Sequence, residues 1–459
     1  MPLDIPLSVE QLDELLKSFG NKTESENLTR LGIKSSGDAL YVYNKSMIEE
    51  NVNNFMFTFK KYFPTFEQYF AVKALPNPHI LKLLYDNGLG FDCSSISELK
   101  MVNQLEKMHN IKCKKIFSSN YTTFEDVAYY FTDGITESSN SIINFDDIDG
   151  LNNMIKFFDY LKTTDRETHD KLFPRLVCFR LNPCIGKTSS EVKSNVLGGP
   201  GTKFGIQTNQ IITAYETAKN YGITEFGIHV MTGSCILDID YFTQLIETIY
   251  ETVHNLFVKL DIRVKFINLG GGIGIPYKTS VLPIDLEQLV KNIYQCVTDS
   301  NAKYSLDWTP NIMMENGRYI TGPYGWLITR CGSIKKSYDD TTFVGLKASM
   351  SNLMRPGMYG AYHHITVPRL ENTKKQQVNV VGTLCENNDW FAKDRDLPSE
   401  IKIDDVVVIH DCGAHAHSMC FQYNGKLRCG EVLFSDCEFK LIRRAETYDD
   451  YISSVTEDV

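Results

Sequence analysis

From about residue 67 the chain alternates short apolar, β-branched or aromatic runs with longer stretches of helical periodicity, and it does so eight times. The runs begin near Gln68, Leu89, Lys115, Ser141, Arg175, Glu225, Val264 and Asn311. Strands separated by helices pair in parallel, with each helix packed back over the sheet. Eight such units over roughly 250 residues predict an α/β architecture of the (β/α)8 barrel type. Helix start signals agree. Asn77 and Pro78 supply a cap and a first-turn proline ahead of Ile80, Leu81, Leu83 and Leu84, and Gly88 closes that helix. Ser95, with Glu98 three residues on, reads as a capping box before Leu99, Val102 and Leu105.

Beyond Gly322 the rhythm changes to short strands between turns, as at 378–382, 405–410 and 431–434, which predicts a C-terminal antiparallel β-domain. A chain of 459 residues exceeds the usual size of one domain. The expected division is a barrel over 46–320 and a discontinuous β-rich domain of 1–45 plus 321–459. The net charge of −10 is spread without a basic tract, so nucleic acid is not an expected partner. No stretch of 18 apolar residues suggests a membrane span, and the first twelve residues lack the apolar core of a secretory signal. Twelve cysteines without a C-x-x-C pair argue against zinc ribbons or a redox dithiol, so no metal site is expected, and reduced thiols in a cytoplasmic protein are.

Four clusters carry candidate chemistry. Tyr69-Phe70-Ala71-Val72-Lys73-Ala74 ends the first barrel strand on a lysine, where barrel enzymes place catalytic groups. Apolar neighbours are expected to lower the proton affinity of Lys73, making it an amine nucleophile for an aldehyde. His229-Val230-Met231-Thr232-Gly233-Ser234 ends the sixth strand with a ring that can stack on a flat cofactor and a hydroxyl for a phosphate. After the seventh, Asn268-Leu269-Gly270-Gly271-Gly272 lets backbone N–H groups approach an anion, without the Lys-Ser/Thr of a nucleotide loop. Met314-Glu315-Asn316-Gly317-Arg318 ends the eighth. Singly these read as a strand-end lysine, a core histidine, a turn and a buried acid. Together they converge on one barrel mouth.

These clusters resemble the fold-type III pyridoxal-phosphate decarboxylases, the group of diaminopimelate, ornithine and arginine decarboxylases related to alanine racemase. The resemblance runs from Tyr41 to Phe434 and also takes in Gly90-Phe91-Asp92 with Ser95 and Glu98, Lys203-Phe204-Gly205, and Cys385-Glu386 with Asp389. It implies pyridoxal 5′-phosphate as cofactor, Lys73 as its Schiff-base lysine and Glu315 against the pyridine nitrogen. It further implies cofactor contacts from Asp92, His229, Ser234, Gly271, Gly272, Gly317, Arg318 and His415. Cys385 matches a cysteine that reaches the site from the partner subunit and helps place the final proton, which implies a homodimer with shared sites. Arg318, Arg355, Tyr359 and Glu386 match positions around a small-molecule amino acid substrate. Arg355 suits a distal carboxylate and Glu386 a distal ammonium. The pattern is most like diaminopimelate decarboxylases, which form L-lysine from meso-2,6-diaminopimelate, with an ornithine, lysine or arginine decarboxylase as the alternative and a non-catalytic homologue a distant third. Three positions depart from the family pattern. Met231 stands where a histidine is usual, His415 where a tyrosine is, and Asn316 where a proline is.

Overall fold

The computed structural model describes residues 3–22, 30–31, 37–135, 141–370, 373–435 and 438–456. The chain divides into one compact unit of 49–275 with 283–320, and a second of 1–48, 276–282 and 321–459. Its first strand, β1 (Ala39–Asn44), belongs to the second unit.

The first unit is a closed parallel barrel. Its staves are β2 (Glu67–Ala71), β3 (Gly90–Cys93), β4 (Lys115–Phe117), β5 (Ser141–Phe145), β6 (Leu176–Asn182), β8 (Glu225–His229), β9 (Phe266–Asn268) and β10 (Asn311–Met314). All neighbours pair in parallel, and β10 returns to β2 through Met313 opposite Glu67 and Met314 opposite Gln68. A two-residue strand, β7 (Ile206–Gln207), adds to the end of β6. Tyr69, Ile116, Ile142, Cys178, Phe266 and Met313, from six different staves, pack together as one buried cluster. Helix caps follow the local sequence. Asn77 accepts from the His79 amide, and Pro78 opens the helix Pro78–Asp86, whose Ile80, Leu81, Leu83 and Leu84 are buried. At the next helix Ser95 accepts from the Glu98 amide, but the Glu98 carboxylate reaches past it to the backbone and hydroxyl of Ser94, so the expected capping box is only half made.

Lys115 on β4 is fully buried, with Nζ donating to Glu106 at 2.9 Å and to Asn103 at 2.8 Å, while Glu106 also accepts from the Cys113 amide at 2.7 Å. Removing one member of such a pair strands the other charge without water. Lys115→Met is therefore expected to lower unfolding free energy by about 3–5 kcal/mol in denaturant titration, and adding Glu106→Gln to recover most of that loss.

In the second unit the long β11 (Gly325–Lys336) pairs antiparallel with β1, β12 (Thr342–Leu346) and β16 (Val406–Ile409), and β13 (Ile365–Thr366) extends β16. β14 (Lys375–Val381) pairs antiparallel with β15 (Trp390–Pro398), and β17 (Gly430–Ser435) with β18 (Glu438–Arg443). The domain is mixed rather than wholly antiparallel, since β1 runs parallel to β17 and β12 to β14. Parallel neighbours need a long crossover, and between β1 and β17 that crossover includes the whole barrel. The helix Val9–Phe19, capped reciprocally by Ser8 and Gln11, presses Leu12, Leu15 and Leu16 into a core with Leu40, Val42, Trp326, Ile328, Val406, Val408, Val432 and Phe434. Among the described residues no helix is long and apolar enough to cross a membrane.

Candidate active site

Three neighbouring staves end in register. His229 closes β8 opposite Asn268 of β9, and Asn268 lies opposite Met313 of β10, two residues before Glu315. The buried Glu315 carboxylate accepts from Asn268 Nδ2 at 2.7 Å and from His229 Nε2 at 3.0 Å. Burial alone favours the protonated acid, but the His229 ring, the Lys73 charge and the Asn268 bond outweigh it and hold Glu315 below the usual carboxylate range. The mouth of the barrel thus holds a fixed buried anion.

Lys73 sits in the single turn Val72–Ala74 directly after β2. Its side chain is about half exposed, at 49 %, and Nζ donates to Asp92 Oδ2 at 3.2 Å, whereas the Asp92 side chain is 1 % exposed. Burial pushes the Asp92 carboxyl up to about 6, with Glu315 pushing the same way and Lys73 opposing. For Lys73, desolvation favours the free amine, yet Asp92, Glu315 and Glu98 together outweigh it and raise its proton affinity. The expectation of a lysine depressed by apolar neighbours is therefore corrected. The apolar residues are its own strand, while the groups facing its ammonium are acids from β3 and β10.

The triglycine follows β9 in conformations that side chains resist, with φ of +66° at Gly270 and +100° at Gly272. A Cβ at Gly271 would stand 2.7 Å from the Glu315 carbonyl oxygen, and one at Gly317 2.6 Å from the Cβ of Ala74. These glycines let the loops after β2, β9 and β10 close on one another. Asn268 Oδ1 accepts from the Gly270 amide at 2.9 Å, so one side chain both shapes this loop and holds Glu315. Asn316 accepts from the Ile273 amide at 3.3 Å and donates to Gln68 at 3.3 Å, ties that a proline there would lack. Arg318 is buried, and its Nη2 donates to Ser234 Oγ at 3.5 Å, joining the loops after β8 and β10.

His229 meets Glu315 through its ring edge, and its buried Nδ1 has no hydrogen-bond partner. At the position where the histidine is usual, the Met231 thioether lies 3.2 Å from the Gly271 amide, against the triglycine loop. Two residues without an assigned role in the sequence belong here. Asn268 is one. Arg180 on β6 is the other, paired with Asp146 at 3.0 Å and donating to the Met231 carbonyl at 2.9 Å. The available signal was a polar side chain ending, or interrupting, an otherwise apolar strand.

The remaining candidates lie in the second unit. Arg355 and Tyr359 share the short helix Met354–Tyr359, and Arg355 is buried, with Nη1 donating to His363 and Tyr277. Cys385 and Glu386 are exposed in the loop between β14 and β15. Asp389 builds that loop, accepting from the Leu384 amide at 2.7 Å and the Met350 amide at 2.6 Å, while the Cys385 amide donates to Asn424 at 2.7 Å. The Cys-Glu-x-x-Asp spacing thus has a folding reason. His415 lies on the loop after β16 with φ of +54°.

On the same loop Asp411 is 2 % exposed, its Oδ2 has no hydrogen-bond partner, and burial pushes its carboxyl up to about 8 against the opposing charge of Arg355. A folded-state value above the unfolded one makes the protonated form the stabilising form. That stability is fully present below about pH 4 and is lost as pH rises towards about 8. Asp411→Asn, which suits the observed φ of +58°, is expected to flatten this fall in Tm over that window and to leave the acid side unchanged.

The barrel mouth thus brings together the Lys73 ammonium, the buried Asp92 and Glu315 carboxylates, and loops after β9 and β10 in which Gly271 and Gly317 leave no room for a Cβ. The chain belongs to the pyridoxal-dependent decarboxylases, whose pyridoxal binding domain pattern matches residues 49–322. Protein TabA of Pseudomonas amygdali pv. tabaci is 35% identical and diaminopimelate decarboxylase of Methanothermobacter thermautotrophicus 30% identical, covering 90% and 91% of this chain and the same shares of their own. The crystal structure of diaminopimelate decarboxylase from Methanocaldococcus jannaschii in co-complex with L-lysine superposes with a TM-score of 0.78 at 30% identity, over 92% of each chain. The protein is an amino acid decarboxylase, and its cofactor is pyridoxal 5′-phosphate.

Proposed function

We propose that this enzyme converts meso-2,6-diaminopimelate to L-lysine and carbon dioxide in the cytoplasm, as a homodimer with shared sites. The observation that carries the reading is the barrel mouth in which Lys73, Asp92 and the buried anion Glu315 face one another. Relatives named as diaminopimelate decarboxylases match over nine-tenths of the chain and support the substrate.

In this reading Lys73 would carry the cofactor, Glu315 would keep its pyridine nitrogen protonated, and Arg318, Ser234, Gly271 and Gly272 would lie around its phosphate or the substrate carboxylate. Bound pyridoxal phosphate supplies the electron sink for the carbanion that remains when carbon dioxide leaves. Lys73 must shed a proton before its amine can react, and Asp92 Oδ2, 3.2 Å from Nζ and with a carboxyl pushed up to about 6, is placed to accept it. His229 and Asn268 keep Glu315 ionised and in place. Arg355 receives the distal carboxylate with both oxygens, and Glu386 the distal ammonium. Cys385, supplied by the partner subunit, returns a proton from Sγ to the carbon that lost the carboxylate. Its exposure, on a loop braced by Asp389, supports a role across an interface.

The test is carbon dioxide release from meso-diaminopimelate, ornithine, lysine and arginine by cofactor-loaded enzyme. Release from meso-diaminopimelate alone is expected. Release from ornithine, lysine or arginine instead would keep the chemistry and overturn the substrate. Mixing inactive Lys73→Ala and Cys385→Ala proteins is expected to restore activity absent from each alone, and failure to do so would overturn the shared site.

A further inference from the structure

Arg355 donates through Nη1 to His363 Nε2 at 2.7 Å and to the Tyr277 hydroxyl at 3.1 Å. The other ring nitrogen of His363, Nδ1, stands 2.8 Å from the His410 carbonyl oxygen. A carbonyl only accepts, so Nδ1 carries the proton, and the neutral ring turns the Nε2 lone pair to the guanidinium. One tautomer of His363 satisfies both neighbours. The ring is fully buried and packs edge-on against Tyr277 at 5.1 Å, and the Tyr277 face in turn lies 4.9 Å from the Arg355 guanidinium carbon.

His363 is itself clamped. Its carbonyl accepts from Arg395 Nη1 at 2.7 Å, and the carbonyl of the next residue, His364, accepts from the His410 amide at 2.9 Å where β13 meets β16. The orientation of Arg355 is thereby referred back to a sheet strand through one imidazole. His363 and Tyr277 are neutral, so their two bonds fix the plane of the fork without adding a negative charge to it, as a carboxylate in place of His363 would. Bidentate capture of a carboxylate depends on that plane as well as on the charge.

We infer that His363 is a positioning residue that orients Arg355 and so sets the preference for a substrate with a distal carboxylate. The inference rests on the reading of Arg355 given above. It separates two substitutions at one site. His363→Asn keeps an N–H near the Nδ1 position for the His410 carbonyl but has no acceptor for Arg355. His363→Gln carries its amide oxygen at the Nε2 position and keeps that acceptor.

The experiment compares both variants with the wild type as cofactor-loaded enzyme, reading kcat and KM for meso-diaminopimelate, product inhibition by L-lysine, and Tm. His363→Asn is expected to raise KM and the L-lysine inhibition constant together by roughly ten- to a hundredfold, with kcat changed much less, because a hydrogen bond to a charged group is lost. His363→Gln is expected to stay within about threefold of the wild type in both constants, at an unchanged Tm. Wild-type-like constants for His363→Asn would overturn the inference, as would equal rises in both variants accompanied by equal losses of Tm, the mark of a merely structural residue. A wild-type enzyme that releases nothing from meso-diaminopimelate would instead overturn the reading of Arg355, and this inference with it.

Discussion

Lys73→Ala is expected to lower carbon dioxide release by roughly ten-thousandfold or more, the scale seen when a group that bonds covalently in the reaction is removed. The structure explains why no neighbour would substitute. Within the mouth Lys73 is met by Asp92, Glu98 and Glu315, which are acids, and the buried Arg180 is tied to Asp146 and to the Met231 carbonyl. The side chain is about half exposed at the end of its strand, so its loss opens no large cavity. Tm is expected to fall by no more than a few degrees, since removing the ammonium takes from the buried Asp92 the cation that opposes its protonation and its carboxyl, already pushed up to about 6, rises further. Stopped turnover in a folded protein, measured as trapped carbon dioxide, is the outcome to look for. A variant that retains a tenth of the activity would contradict the role of Lys73.

Glu315→Gln is expected to cost about a hundred- to a thousandfold in kcat, as when one preorganised charge-stabilising group is removed from a buried site. The substitution keeps the shape and an acceptor for the Asn268 amide, but it cannot remain an anion between Lys73 and His229. In the proposed role Glu315 would keep the pyridine nitrogen of the bound cofactor protonated, and a neutral amide in its place would not. The effect should fall on kcat more than on KM, because the carboxylate acts on charge that develops during the reaction. The absorption band of the bound cofactor is expected to shift in the same variant, which a purely structural loss would not produce. Replacement by Ala is a harsher test, since it strands the Asn268 amide and the His229 ring beside an unfilled space.

Much of this was legible beforehand because parallel barrel strands are covered on both sides and so read as continuous apolar runs. The eight expected starts fall within two residues of β2 to β6 and β8 to β10. Less legible was whatever depends on partners distant in sequence. β7 is two residues long and exists only through its pairing with the end of β6. The parallel pairing of β1 with β17 joins strands separated by the entire barrel. The proton affinity of Lys73 departs from the expectation for the same reason, since strand composition shows the residues beside it and not the carboxylates of Asp92, Glu98 and Glu315 brought across from other elements. Asn268 precedes the triglycine, whose lack of side chains points to an anion and hides the part played by the amide before it. Its amide does shape that loop, but its other bond is to Glu315, 47 residues on. His363 carried no signal at all, for its meaning lies in the carbonyl of His410 on one side and Arg355 on the other.

The most direct measurement of the central claim is reduction of the cofactor-loaded enzyme with borohydride, followed by proteolysis and mass spectrometry to find the lysine that has been covalently marked. The account predicts a phosphopyridoxyl group on Lys73 and loss of the mark in Lys73→Ala. A mark on another lysine, or a loaded and active enzyme with no marked lysine, would contradict it.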